Sequence, residues 1–254
     1  MLSKNKIKII KSLDSKKSRA EHGLFVAEGD KLVSELIDSP IIISYLAGTD
    51  AWFSTNKEKK IICNEKDIVT EEELKKISFL KTPQSVLCLA KLPKYELNLK
   101  SLQTELSLIL DNVKDPGNLG TILRISDWFG IKNIICSQNS ADAFNPKVVQ
   151  ATMGAICRTK IYYENLEDIL SKIKKLGISM YGTTLGGENI YTTALEPNGF
   201  IMMGNESKGI NPEWLPFLDK QLFIPFYPEG EKQSESLNVA IAAAIVCSEF
   251  RRRG

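Results

Sequence analysis

The chain has 254 residues, 43% hydrophobic and 25% charged, which suits a globular protein of one large domain or two smaller ones. No apolar stretch approaches the ~18 residues of a membrane span, and the start MLSKNKIKIIKSLDSKK lacks the apolar run of a secretory signal, so a soluble, cytoplasmic protein without membrane contact is expected. A single histidine, His22, and five scattered cysteines without a C-x-x-C pair disfavour a Ser-His-Asp triad, a metal site and a disulfide framework.

In chain order, the opening is basic: Lys4, Lys6, Lys8, Lys11, Lys16, Lys17 and Arg19 stand against Asp14 alone up to position 19. Such a run either contacts phosphates or forms a solvated helix face. GLFVAEG (23–29) reads as a strand, DKLVSELIDS (30–39) as a helix with Leu32, Val33, Leu36 and Ile37 on one face, PIIISYLA (40–47) as a strand and TEEELKKI (70–77) as a capped helix start. SVLCLAKLP (85–93) is a further strand. Residues 1–95 thus predict a small α/β domain, and the polar stretch 96–103 a linker.

The second domain is expected over 104–254. ELSLILDNV (105–113) and IKNIICS (131–137) read as strands, with an amphipathic helix between them. NPKVVQATMGAI (145–156) reads as a helix, and LEDILSKIKKLG (166–177) as an amphipathic helix closed by a C-terminal glycine. ISMYGTT (178–184) and FIMMG (200–204) are strands, NPEWLPFLD (211–219) is a short helix with Pro212 in its first turn, QLFIPF (221–226) is a strand, and 236–253 is a long alanine-rich helix. The carboxyl-terminal EFRRRG either contacts phosphates or favours the negative end of that helix. Continuous apolar strands alternating with helices predict α/β architecture with a mainly parallel sheet covered on both faces.

In such sheets ligands sit at the carboxyl ends of the strands. The segments found there are KDPGNLG, TTLGG, NESKG and YPEGEKQSESLN, all rich in Gly, Asn, Ser and Glu. No G-x-G-x-x-G and no Walker A sequence accompanies them, which disfavours dinucleotide and P-loop chemistry. Within DNVKDPGNLGTILRIS, Asn118 is expected to cap the helix after a Pro116–Gly117 turn. Arg124 then lies six residues past the cap, with Gly120 leaving its path toward the helix amino end open. There an arginine meets anions, unless it simply pairs with Asp127 or water.

DNVKDPGNLGTILRIS, IMMGNESKGI and FIPF…SLNVAIAAAI occur in that order, each behind a predicted strand. Together they resemble the SpoU (TrmH-like) branch of the SPOUT RNA methyltransferases over roughly 107–251. FVAEGDKLVSELI and TPQSVLCLAKLP resemble the small substrate-binding domain that many members carry. The resemblance implies methyl transfer from S-adenosylmethionine to a ribose 2′-hydroxyl of RNA, ribosomal RNA before transfer RNA. It also implies a deep carboxyl-terminal trefoil knot and a homodimer.

By the same resemblance Arg124, Asn118, Glu206, Ser236 and Asn238 are catalytic. Gly204, Ile224, Leu237, Asn205, Thr183 and Gly186 bind the cofactor, with Thr184 beside them. Gly204 is expected to let the backbone approach a ligand, although Gly-Asn also suits a plain tight turn; Ser236 to Asn238 equally suit the start of the last helix. A non-catalytic RNA-binding assembly factor and a base methyltransferase are the competing readings. Two departures from the family pattern stand out: a long, acidic loop between Ile224 and Ser236, and Gln150 where relatives commonly carry arginine.

Overall fold

The computed structural model of the protein describes residues 2–227 and 236–253. Its contacts divide the chain into two compact units, Met1–Lys94 with Asp142–Arg158 and Tyr95–Ala141 with Thr159–Gly254. Residues 142–158, read from sequence as part of the second domain, group with the first.

The first unit contains α1 (Lys4–Ser12), α2 (Lys16–His22), β1 (Leu24–Glu28), α3 (Asp30–Ile37), β2 (Ile43–Gly48), α4 (Asp50–Thr55), β3 (Cys63–Ile68), α5 (Glu71–Ile77) and β4 (Val86–Lys91). Its sheet runs β1-β4-β2-β3; β4 is antiparallel to β1 and to β2, and β3 is parallel to β2. The basic amino-terminal segment is built into the fold. Ser3 and Ser15 cap its two helices, and Ile10 and Leu13 enter a core with Val26, Tyr45, Leu74, Ile77 and Leu87. Lys6 Nζ reaches Glu65 and Asp67 at 2.7 and 2.8 Å, Lys11 Nζ donates to the Ser78 carbonyl, and buried Arg19 pairs with Asp142. Thr70 and Glu73 form a reciprocal capping box at α5.

The second unit contains β5 (Leu106–Leu110), α6 (Pro116–Trp128) and β6 (Asn133–Ser137). Helix α7 (Pro146–Ala151), which the contacts place with the first unit, follows in the chain. Then come β7 (Lys160–Glu164), α8 (Leu166–Lys175), β8 (Met180–Asn189), β9 (Gly199–Met203), β10 (Lys220–Phe223) and α9 (Val239–Arg253). The six strands are all parallel, in the order β10-β8-β9-β5-β6-β7. Strands β5 and β9, side by side at its centre, are buried along their whole length. Ile109, Ile135, Met180, Phe200 and Met202 form a core with Ile169, Leu170 and Ile173 of α8. The stretch expected as a linker packs on this core through Leu97, Leu99 and Leu102, as does Tyr95 just before it.

Several boundaries move for local reasons. The helix expected over 145–156 stops at Ala151, because Met153 (φ 51°) and Gly154 (φ 99°) turn left-handed before a 3-10 turn at Ala155–Cys157. Pro212–Phe217 is a 3-10 helix rather than an α-helix, with Pro216 inside it removing a backbone donor. Strand β2 begins at Ile43, past Pro40, and β10 ends at Phe223, one residue short of Ile224. Gln150 lies on α7 and is partly exposed. Most of the long acidic loop, 228–235, lies outside the described residues. No helix among the described residues is long and apolar enough to cross a membrane.

Candidate functional site

A parallel sheet puts all its strand carboxyl ends on one edge. In this one the chain runs from β5 outward through β6 and β7, then returns to place β9 on the other side of β5. That reversal between β9 and β5 is a topological switch point, where the loops leaving adjacent strands diverge and open a crevice. A cleft of about 510 Å³ lies there, lined by Asn112, Lys114, Asp115 and Asn118 after β5 and by Asn205, Glu206, Ser207 and Lys208 after β9.

Local chemistry shapes both walls. Asn112 takes a left-handed turn (φ 62°), a conformation asparagine tolerates, and its N–H donates to Ser137 Oγ at 2.9 Å. Helix α6 is capped by Asp115, not by Asn118: Asp115 Oδ1 accepts from the Asn118 N–H at 2.8 Å, and Pro116 occupies the first helical position. This corrects the expected cap. It also releases the Asn118 side chain, which now belongs to the first helical turn and points its amide at Glu206.

The second wall is a tight turn closed by reciprocal backbone bonds between Asn205 and Gly209, both 2.9 Å. A Cβ on Gly204 would stand 2.1 Å from the Gly209 carbonyl carbon and 2.2 Å from Ile210 N. Glycine is thus required by the turn's own backbone. Asn205 Oδ1 accepts from the N–H groups of Ser207 and Lys208 and fixes the same turn.

Glu206 joins the walls. Its Oε1 accepts from the Asp115 N–H (3.0 Å) and Asn118 Nδ2 (3.2 Å), and its Oε2 from the Lys114 N–H (3.3 Å) and Asn205 Nδ2 (3.1 Å). Burial pushes this carboxyl up, but the backbone and amide donors outweigh burial and hold it below its ordinary value of 4.5. Asn205 Nδ2 also reaches the Asn112 carbonyl at 2.8 Å. At the other end, Asn238 Nδ2 donates to Asn118 Oδ1 at 2.9 Å, while Asn238 Oδ1 caps α9 by accepting from Ala240 N and Ile241 N. A continuous chain, Asn238–Asn118–Glu206–Asn205, therefore links three segments far apart in sequence.

Four of the expected site residues are brought together in this way. Ser236 and Leu237 precede α9 and are exposed. Thr183 and Gly186 lie on a bulge: β8 residues 183–187 stand opposite a single step of β10, since Gln221 pairs with Gly182 and Leu222 with Glu188. Thr183 Oγ1 donates to the Met202 carbonyl at 3.4 Å, Thr184 Oγ1 to Gln221 Oε1 at 3.3 Å, and a Cβ at Gly186 would meet open space. Ile224 is partly buried just beyond β10.

Arg124 does not line the cleft. It lies nine residues past the actual cap, about 13 Å along the helix axis. Its side chain is exposed, with no bond to any described residue, one turn before Trp128, itself 84% exposed. The basic carboxyl terminus is partly committed to the fold, because Arg251 donates to the Phe129 and Gly130 carbonyls at the end of α6 and Arg252 pairs with Glu249. The cleft residues that sequence reasoning passed over are Asn112, Lys114, Asp115, Ser207 and Lys208. Only Asp115, directly before a proline, carried a readable signal.

An open parallel sheet with its cleft at the switch point and polar loops from several strands defines an α/β protein of enzyme type. Residues 105–248 match the SpoU rRNA Methylase family, and residues 4–88 match the MRM3-like substrate binding domain. The chain belongs to the SpoU rRNA methylase family. It is 31% identical over 248 residues to the 23S rRNA (guanosine(2553)-2'-O)-methyltransferase RlmP of Bacillus subtilis, covering 97% of this chain and 96% of that one. A TrmH-family structure from Porphyromonas gingivalis matches with a TM-score of 0.90 and 38% identity over 100% of both chains. An AdoMet-bound rRNA methyltransferase from Sinorhizobium meliloti matches with a TM-score of 0.83 and 30% identity, over 100% of this chain and 96% of that one.

Proposed function

We propose that the protein transfers a methyl group from S-adenosylmethionine to a ribose 2′-hydroxyl of ribosomal RNA. The observation that carries this reading is the Asn238–Asn118–Glu206–Asn205 chain, which assembles the three family segments around one cleft. The full-length likeness to a 23S rRNA 2′-O-methyltransferase favours ribosomal over transfer RNA. It also weighs against a factor that has lost turnover, because the polar residues of all three segments are present and connected.

The residues present fit the cofactor. The β8 bulge leaves space at Gly186, and Leu185 within that bulge and Leu237 before α9 are 68% and 48% exposed, which supplies apolar surface. Thr183, Gly186, Asn205, Ile224 and Leu237 would hold it, with Gly204 keeping the turn closed. When bound, the cofactor supplies an activated sulfonium methyl group, so holding the hydroxyl in line with it is a large part of the task.

Glu206 serves as a brace rather than a base: its two oxygens already accept four hydrogen bonds, which fixes the loops after β5 and β9 against each other. Arg124 offers a planar guanidinium with donors and no acceptor atom. Its role is to hold phosphate and to stabilise the developing 2′-oxyanion. Exposed Trp128 on α6 and Ile241 (52% exposed) on α9, two helices that pack together, supply apolar surface for the homodimer that the resemblance implies. The trefoil knot and a cytoplasmic location belong to the same reading.

The test is transfer of labelled methyl groups by purified protein to an unmodified transcript of large-subunit ribosomal RNA, followed by site-resolved mapping. One 2′-O-methylated nucleotide is expected. Absence of transfer to any ribosomal transcript would defeat the proposal, and methylation on a base would replace it with a different reaction. Arg124→Ala is expected to abolish turnover with cofactor affinity nearly unchanged.

A further inference from the structure

The cleft at the switch point carries four ionisable side chains, and they are not equally available. Asp115 is committed to capping α6, and Glu206 accepts four hydrogen bonds. Both carboxylates are thus used by the fold as acceptors for N–H donors. Lys114 and Lys208 line the same cleft from opposite walls, one on the loop after β5 and the other in the turn after β9. Both are exposed, and neither ammonium group bonds to a described residue. Their backbones are held while their charges are not: the Lys114 N–H is pinned to Glu206 and the Lys208 N–H to Asn205 Oδ1. Two cations are therefore presented beside carboxylates whose hydrogen-bonding capacity is already taken up by the fold, which leaves the lysines as the groups able to meet an anion.

We propose that Lys114 and Lys208 grip an RNA phosphodiester next to the target ribose, making this cleft the RNA side of the active site. The assignment rests on the function proposed above and adds to it the residues that contact the polymer. Lysine is a flexible point charge, suited to phosphate held by attraction rather than by fixed geometry. The carboxylate of the cofactor is the other anion available to such a pair, and the experiment separates the two.

Binding of the unmodified ribosomal transcript is measured across a salt series for the wild type, Lys114→Gln, Lys208→Gln and the double variant, with cofactor affinity measured in parallel. Each lysine that neutralises a phosphate adds ~0.7–1 to the slope of log affinity against log salt. Each single substitution is expected to remove about that much, and the double variant about twice as much. Lys114→Arg and Lys208→Arg are expected to keep the slope, and cofactor affinity to stay within roughly twofold across the series, since the lysines contact RNA phosphate rather than cofactor. An unchanged slope in the double variant overturns the proposal. So does a loss of cofactor affinity with RNA binding intact, which would assign the lysines to the cofactor. The slope comes from binding alone. A wild-type protein that binds RNA with lysine-dependent slope but transfers no methyl group would refute the proposed reaction and leave the grip standing.

Discussion

Glu28 ends β1 in the first unit, and Glu206 occupies the turn after β9 in the second. Both accept hydrogen bonds on both carboxylate oxygens, and both lose water to burial. Yet Glu28 is pushed above its ordinary 4.5 and Glu206 is held below it. Glu28 is 5% exposed and has two donors, Ser78 Oγ at 2.5 Å and the Phe79 N–H at 2.7 Å; burial outweighs both, even with the positive charge of Lys11 nearby. Glu206 is less deeply buried and has four N–H donors, two from the loop before α6 and two from asparagine amides. Burial sets the cost of a charge, and the number of donors converging on it decides which form prevails. A carboxylate that must remain an ionised brace under a reacting RNA needs the second arrangement.

The largest test of that contrast is Glu206→Gln. The amide keeps one acceptor oxygen and turns an NH₂ group toward N–H donors, so the walls separate. Methyl transfer should fall on the order of 100-fold, since misplacement by about an ångström costs that much. Cofactor affinity should change little, and the shape of the pH–rate profile above pH 5 should not change. The sign follows from the depressed pKa: Glu206 stabilises the folded state fully above 4.5, and that contribution is lost as pH falls through its lower folded value. Disappearance of an acid limb in the variant would mean that Glu206 titrates during turnover, contrary to the brace assignment.

Gly204→Ala attacks the same turn through its backbone. The added methyl collides with the Gly209–Ile210 peptide, and a loss of ~1–3 kcal/mol is expected from overpacking, read as a lowered Tm. An unchanged Tm would show that the turn has room it does not display. Glu28→Gln should have the smallest effect and the opposite pH signature. With a raised pKa, ionised Glu28 weakens the fold above its folded value and this relaxes as pH falls. Urea unfolding at pH 4.5 and 7.5 should therefore show the variant gaining on the wild type at the higher pH. A shift in favour of the wild type would place Glu28 in the same class as Glu206.

The second sheet was largely readable, because β5 and β9 are buried on both faces and appear as unbroken apolar runs in LSLIL and GFIMM. Strand β3, CNEKDI, was not: an exposed strand with one Cys and one Ile carries no alternation to detect. The start of α6 was misplaced by three residues, because Asn118 and Asp115 are both good caps and only the proline after Asp115 distinguishes them. The three site segments were legible as segments. What they do to one another was not, because a glutamate accepting four donors depends on the β9–β5 adjacency, which joins loops about ninety residues apart. Lys114 and Lys208 carry no signal in the sequence for the same reason: only their placement on opposing walls distinguishes them.

The most direct test of the account is site-resolved mapping of ribose methylation in the ribosomal RNA of cells carrying the wild-type gene, no gene, or Asn118→Ala at the native locus. Asn118 is the link between Asn238 and Glu206. The account predicts one 2′-O-methyl mark that is present with the wild type, absent without the gene, and absent or reduced on the order of 100-fold with Asn118→Ala at normal protein level. A mark that persists at wild-type occupancy in the Asn118→Ala cells, or a ribosomal RNA unchanged by loss of the gene, would contradict it.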